Sequence, residues 1–171
     1  IEIINSEQGL NISQRNITVS SCGLVPEIKA LADKKLQITL ALSLHAADDE
    51  TRKSLMPIAN KYSIKEVLEA CRYYFDTTKR RVSFEYGLVA GVNDTKEEAL
   101  KLSRLIKNMQ AHVNLIPINP IKERDYKEPT HKNVLAFKQV LEKSGIQVTV
   151  RREMGRDIDG ACGQLRRSFM A

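Results

Sequence analysis

Apolar residues recur at every second position in five stretches of this chain, about 16–21, 37–44, 81–88, 111–117 and 146–151, and that period predicts strands. Between them, near 25–34, 63–77, 95–108 and 130–143, apolar residues recur at spacings of three and four and predict helices. In the second of these, Ile64, Val67, Leu68, Cys71 and Phe75 fall on one face, which places Cys71 in the core. The helix starts are marked: Ser63-x-x-Glu66 and Thr95-x-x-Glu98 read as capping boxes, and Thr130 can cap the last long helix. Repeated strand, helix, strand implies a parallel sheet, either open or curled into part of a barrel.

The two strand faces decide between these forms. One face is apolar throughout: Ile17 and Val19, then Ile38, Leu40 and Leu42, then Val82, Phe84 and Tyr86, then Val113 and Leu115, then Ile146, Val148 and Val150. The other carries Thr18, Ser20, Thr39, Ala41, Ser43, Ser83, Glu85, His112, Asn114, Gln147, Thr149 and Arg151. A sheet covered by helices on both sides would read as near-continuous hydrophobic strands. The polar side suits the inside of an incomplete barrel lining a cavity for a polar cofactor. The expected fold is therefore α/β, a partial (β/α) barrel of about five parallel strands with outer helices and a polar inner face.

Composition adds bounds. The 171 residues suffice for one domain with a real core, and 42% hydrophobic with 28% charged residues describes a soluble globular chain. No apolar run approaches the roughly 18–20 residues of a membrane span and no signal-like segment opens the chain, so a cytoplasmic location is expected. A net charge of +6 and a pI near 9.3 favour polyanionic partners, although lysines on solvated helix faces explain much of that excess. With 5% aromatic residues and no Trp, a stacking platform for single strands is not evident. Cys22, Cys71 and Cys162 are odd in number and far apart, which argues against a disulfide framework, and without a C-x3-C-x2-C run they supply no cysteine set for a [4Fe–4S] cluster within the chain. The opening Ile1, Ile3 and Ile4 read as the tail of an amphipathic helix ending near Gly9, so residues 1–171 are expected to be the C-terminal portion of a longer chain.

Candidate chemistry lies where predicted strands end, since ligands of parallel α/β folds bind at the C-terminal edges of their strands. Ser20 ends the first strand, but serine is also a common turn residue. Ser43-Leu44-His45 ends the second, where the histidine reads as a base, a ligand or only a loop residue. Asn119, between Pro117 and Pro120, is held by a rigid exit from the fourth strand, and its amide both donates and accepts, which suits an adenine or ribose edge as well as a turn. The last candidate is Cys162, set between Gly160 and Gly163 with acids before it and Arg166 and Arg167 after it. The small neighbours let another molecule approach the sulfur, and a helix starting at Gln164 would favour a thiolate, but a lone cysteine is as often structural. Arg151, Arg152, Arg156, Arg166 and Arg167 form a group suited to phosphate contact.

The run D-I-D-G-A-C-G-Q-L from Asp157 resembles the C-terminal signature of the radical-SAM adenine methyltransferases that act on 23S ribosomal RNA and transfer RNA. The runs S-S-C-G-L-V-P from Ser20, S-L-H-A from Ser43, V-N-L-I-P-I-N-P from Val113 and R-R-E-x-G-x-D-I-D from Arg151 are similar to that family in the same order, over essentially the whole chain. The resemblance implies a barrel of the radical-SAM type and contacts to S-adenosylmethionine from Ser20, Ser43, Leu44, His45 and Asn119. It implies that Cys162 carries the methyl group, and that a [4Fe–4S] cluster and a resolving cysteine are supplied by preceding residues of the full-length protein. On that pattern, Cys162 takes a methyl group from one S-adenosylmethionine. A radical from a second removes hydrogen from it, and the carbon radical adds to carbon 2 of adenine before the second cysteine resolves the adduct. The implied partners are 23S rRNA and tRNA, and the fragment alone is expected to be inactive. Two other readings remain: the related enzyme that methylates carbon 8 of adenine, and a non-catalytic RNA-binding α/β domain.

Overall fold

The computed structural model describes residues 1–119 and 125–151. Its elements in chain order are α1 (Glu2–Asn5), β1 (Thr18–Ser21), α2 (Val25–Asp33), β2 (Thr39–Ser43), α3 (Asp49–Leu55), α4 (Ile64–Thr78), β3 (Val82–Leu88), α5 (Lys96–Leu105), β4 (Ala111–Pro117), α6 (His131–Lys143) and β5 (Gln147–Val150). Single 3-10 turns occupy Gln14–Asn16 and Pro57–Asn60. The strands form one parallel sheet in the order β1-β2-β3-β4-β5.

That order has a consequence for the faces. Parallel crossovers are right-handed almost without exception, so strands added one after another in a single direction send their connecting helices to the same side. In agreement, α2 packs on α4 and α5 on α6, and one continuous core fills the space between helices and sheet. It takes Leu40 and Leu42 from β2, Val82, Phe84 and Tyr86 from β3, Val113 and Leu115 from β4, and Ile28, Val67, Leu68, Cys71, Leu102, Phe137 and Leu141 from the helices. Strand β3 alternates strictly between buried and half-buried positions. The described part of the sheet thus keeps one helix-covered face and one open face, as expected from the alternation.

Three details differ from the sequence expectation. Ser63 and Glu66 form a complete capping box, whereas Thr95 caps α5 through the Glu98 N–H but Glu98 turns its carboxylate to Lys101, 2.6 Å away. Helix α3 had no apolar stripe to announce it. Its signal was electrostatic: Asp48 caps it through the Thr51 N–H at 2.8 Å, with Asp49 and Glu50 in the first turn and Arg52 and Lys53 in the last. The opening segment forms only the four-residue α1, with no buried residue.

Tyr86 and Phe137 lock β3 to α6 with ring centroids 5.2 Å apart, both fully buried. Phe137→Ala removes one ring and opens a cavity, and is expected to destabilise the fold by about 3–5 kcal/mol, read from urea unfolding of the full-length protein.

Candidate cofactor site

The register stacks the polar residues of the open face into rows. Ser20, Ala41, Ser83, His112 and Gln147 lie side by side across all five strands. One step nearer the C-terminal edge come Ser43, Glu85, Asn114 and Thr149. The rows are cross-linked. The Asn114 amide donates to the Glu85 carboxylate at 2.8 Å, the Thr149 hydroxyl donates to the Asn114 amide oxygen at 3.0 Å, and His112 lies 3.2 Å from both Ser83 and Thr149. Burial, then the Arg81 charge, lower the His112 pKa, while Glu85 opposes them. A neutral imidazole bridging two hydroxyls fits this position, because each ring nitrogen then has a partner of the right sense. The result is an ordered polar surface, held in place by bonds among its own members.

Above these rows the strand exits converge. His45, immediately beyond β2, takes a left-handed backbone with φ of 58°, which breaks the alternation and swings its ring over β3. There its Nδ1 accepts the Gly87 N–H at 2.8 Å. Gly87 is what permits this approach: a Cβ at that position would stand 3.3 Å from Nδ1 and 3.7 Å from Ile118, the residue before Asn119. Ile118 is bound to the same strand end through its N–H to the Leu88 carbonyl at 3.2 Å. The exits of β2 and β4 therefore meet across the end of β3, with the half-buried Asn119 one residue further on.

Burial, and secondarily the Arg52 cation, push the His45 pKa down to about 4. The ring is thus neutral at pH 7, and with Nδ1 used as an acceptor its proton sits on Nε2. It is a hydrogen-bond donor of fixed tautomer and a poor proton acceptor, in keeping with a binding role.

Leu44 plays a different part from its neighbours. Its side chain is fully buried, its N–H donates to the Glu85 carbonyl at 3.0 Å, and its carbonyl accepts Arg52 Nε at 3.2 Å. Only a second lone pair on that carbonyl is left for a ligand. Ser43 stays half-buried on the polar face. Ser20 is exposed near the end of β1, in register with Ala41, on the same face as Ser43. Cys22 is exposed and Cys71 is sealed in the core, where burial pushes its thiol up to about 12. Cys162 lies outside the described residues, as do Arg152, Arg156, Arg166 and Arg167.

Two residues that hold the rim were not singled out from the sequence. Asn93 is fully buried; its amide donates to the carbonyls of His45 and Gly87, both at 2.7 Å, and accepts the Val89 N–H at 2.7 Å. The other is Arg52, also fully buried. Asn93 sits in G-V-N-D, which reads as a turn, and Arg52 in a charged run, which reads as solvent-facing. In both cases the backbone groups they satisfy become neighbours only on folding.

No group of three or more His, Cys, Asp or Glu side chains placed to hold a metal ion occurs among the described residues. With Cys71 in the core and Cys22 apart from it, these residues do not fit a [4Fe–4S] cluster. The cradle at the strand exits does fit a polar organic cofactor, since it offers neutral donors and acceptors of fixed direction. Among the described residues, no helix is long and apolar enough to cross a membrane.

His45 titrates below its unfolded value of 6.5, so between about 6.5 and 4 the unfolded chain binds the extra proton. Stability is therefore expected to fall as pH is lowered through that window and to level off below it. His112 contributes in the same direction. Urea unfolding at pH 7 and pH 5 checks this, and His45→Gln should show a shallower loss than the wild type.

No family model matches the chain. Among curated proteins, one from Lachnospira eligens named "Probable dual-specificity RNA methyltransferase RlmN" is 68% identical over 170 residues, which are 99% of this chain and 49% of the relative. A protein of the same name from Clostridium perfringens is 60% identical over the same shares. Among solved structures, a radical SAM methyltransferase from Sphaerobacter thermophilus superposes with a TM-score of 0.90 at 46% identity, over 95% of this chain and 48% of that one. A domain of a pyruvate-formate lyase-activating enzyme from Bacteroides vulgatus, 13% identical with a TM-score of 0.62, shares the fold. Along nearly its whole length the chain is therefore similar to radical-SAM methyltransferases and to proteins named as RlmN dual-specificity RNA methyltransferases, and it spans about half the length of the curated relatives it matches.

Proposed function

We propose that the full-length protein is a radical S-adenosylmethionine-dependent RNA methyltransferase acting on carbon 2 of an adenine in 23S rRNA and in tRNA. The observation that carries this reading is the 68% identity to a relative named as a dual-specificity RNA methyltransferase, over 170 residues and 99% of this chain. The geometry of the exits supports the cofactor assignment. Ser20, Ser43 and His45 lie on or over one polar face, and Asn119 follows the exit of β4 that packs against His45 across Gly87.

In this reading the chain's residues bind and orient. His45 donates from Nε2 to an acceptor of the adenosine moiety, because its other nitrogen is taken by Gly87. Asn119 reads a donor and acceptor edge, Ser20 and Ser43 bind from the neighbouring strands, and Leu44 contributes its remaining carbonyl lone pair. Cys162 is the methyl carrier: its thiolate sulfur forms the new S–C bond as the S–CH3 bond of S-adenosylmethionine breaks, with S-adenosylhomocysteine as the leaving group. The iron–sulfur cluster, which supplies the radical chemistry when bound, is held by residues outside this chain. The excess of 27 basic over 21 acidic side chains supports attraction to RNA phosphates. Carbon 2 is taken over carbon 8 on the family resemblance of the run from Asp157.

Nucleoside mass spectrometry of RNA from cells that make the full-length protein, set against cells that lack it, tests the proposal. The expected result is 2-methyladenosine that disappears with Cys162→Ala, while that variant still binds S-adenosylmethionine. Appearance of 8-methyladenosine instead, or 2-methyladenosine undiminished by Cys162→Ala, would contradict it.

A further inference from the structure

We propose that Arg52 is a positioning residue that fixes the exits of β1 and β2 relative to each other so that together they receive S-adenosylmethionine, an inference that rests on the cofactor reading above. Arg52 lies on α3, contacts none of the candidate ligand-binding side chains in the hydrogen-bond network, and is nonetheless fully buried. Its Nη2 donates to the Cys22 carbonyl at 2.9 Å, its Nε to the Leu44 carbonyl at 3.2 Å, and its Nη1 to the Tyr62 carbonyl at 3.2 Å. The first acceptor is two residues beyond Ser20. The second lies between Ser43 and His45. The third ties both to the start of α4.

None of the three bonds goes to a carboxylate. Asp49, which supports the charge from nearby, spends one carboxylate oxygen on the Ile64 N–H at 2.7 Å. Burying a cation without a hydrogen-bonded counter-ion is expensive, and filling the same space with an apolar side chain would avoid that cost. What an apolar residue cannot do is satisfy carbonyls from three separate loops. A lysine has three donors around one point, whereas the guanidinium spreads five over a rigid plane and reaches acceptors in different directions at once.

The β1 exit is shaped to the guanidinium. Gly23 has φ of +104°, and a Cβ there would fall 2.9 Å from Nη2 and 3.2 Å from Val67. The chain passes so close that only a residue without a side chain fits between guanidinium and helix. Ser21 braces the same turn by accepting the Gly23 N–H at 3.1 Å. Sequence-adjacent strands β1 and β2 are already paired through their registers, but pairing ends at Ser21 with Leu42. Past that point Arg52 supplies the hydrogen-bonded link between the two chains as they separate.

Calorimetric titration of the cluster-loaded full-length protein with S-adenosylmethionine, without reductant, tests the assignment. Arg52→Lys keeps the charge and loses the fork, while Phe137→Leu serves as a control destabilised in the core away from the exits. Both are assayed well below their measured melting temperatures. Arg52→Lys is expected to weaken binding by about tenfold or more, and Phe137→Leu by less than about twofold. Binding of Arg52→Lys equal to wild type would overturn the assignment, as would equal losses in both variants. If Arg52→Lys does not fold, Gly23→Ala presses on the same guanidinium and is judged by the same two outcomes. A wild type that binds no S-adenosylmethionine would instead remove the cofactor reading, and this inference with it.

Discussion

Every strand of the described sheet is parallel to its neighbour and follows it in sequence order, and this constraint decides what each face can be. Right-handed crossovers in one direction of growth put all the helices on one side. Residues pointing to that side must be apolar, and they are, from Leu40 through Phe84 and Tyr86 to Val113 and Leu115. Among the described residues, those pointing away receive no crossover helix. They are free to be Ser20, Ser43, Glu85, His112, Asn114 and Thr149, and the parallel register brings them into rows. The site is thus a product of topology before it is a product of any single residue.

The second requirement arises at the C-terminal edge. Where parallel strands end, backbone carbonyls and N–H groups lose their ladder partners close to the core, and each needs another. Buried polar side chains meet that need. Asn93 takes the carbonyls of His45 and Gly87, and Arg52 takes those of Cys22, Leu44 and Tyr62. These residues fix the backbone next to Ser20, Ser43 and His45, so that the proposed ligand-binding groups there sit on a rigid frame and not on free loops. A frame of this kind lowers the ordering cost of binding.

Much of the fold was legible because the strand period and the helix caps are local signals. All five strands and the four longer helices appear where alternation, Ser63, Thr95 and Thr130 placed them. The polar face was legible for the same reason, since a face is defined by every second residue. The strand ends could be marked as candidate sites, with their specific ligand coming from family resemblance. Arg52, Asn93 and Gly87 were not legible. A buried arginine in D-D-E-T-R-K, an asparagine in G-V-N-D and a glycine inside a strand owe their roles to carbonyls and rings that are 6 to 48 residues distant in the chain. Cys162 rests on the family resemblance, because it lies outside the described residues.

The central claim is that the open polar face and the exits of β1, β2 and β4 form the binding site for S-adenosylmethionine. Hydrogen–deuterium exchange of the cluster-loaded full-length protein, with and without S-adenosylmethionine, tests it most directly. The account predicts slowed exchange at residues 20–23, 43–46 and 116–119, with the helix-covered side around α4 and α5 unchanged. Protection confined to that helical side, or binding that leaves all three exits unprotected, would contradict it.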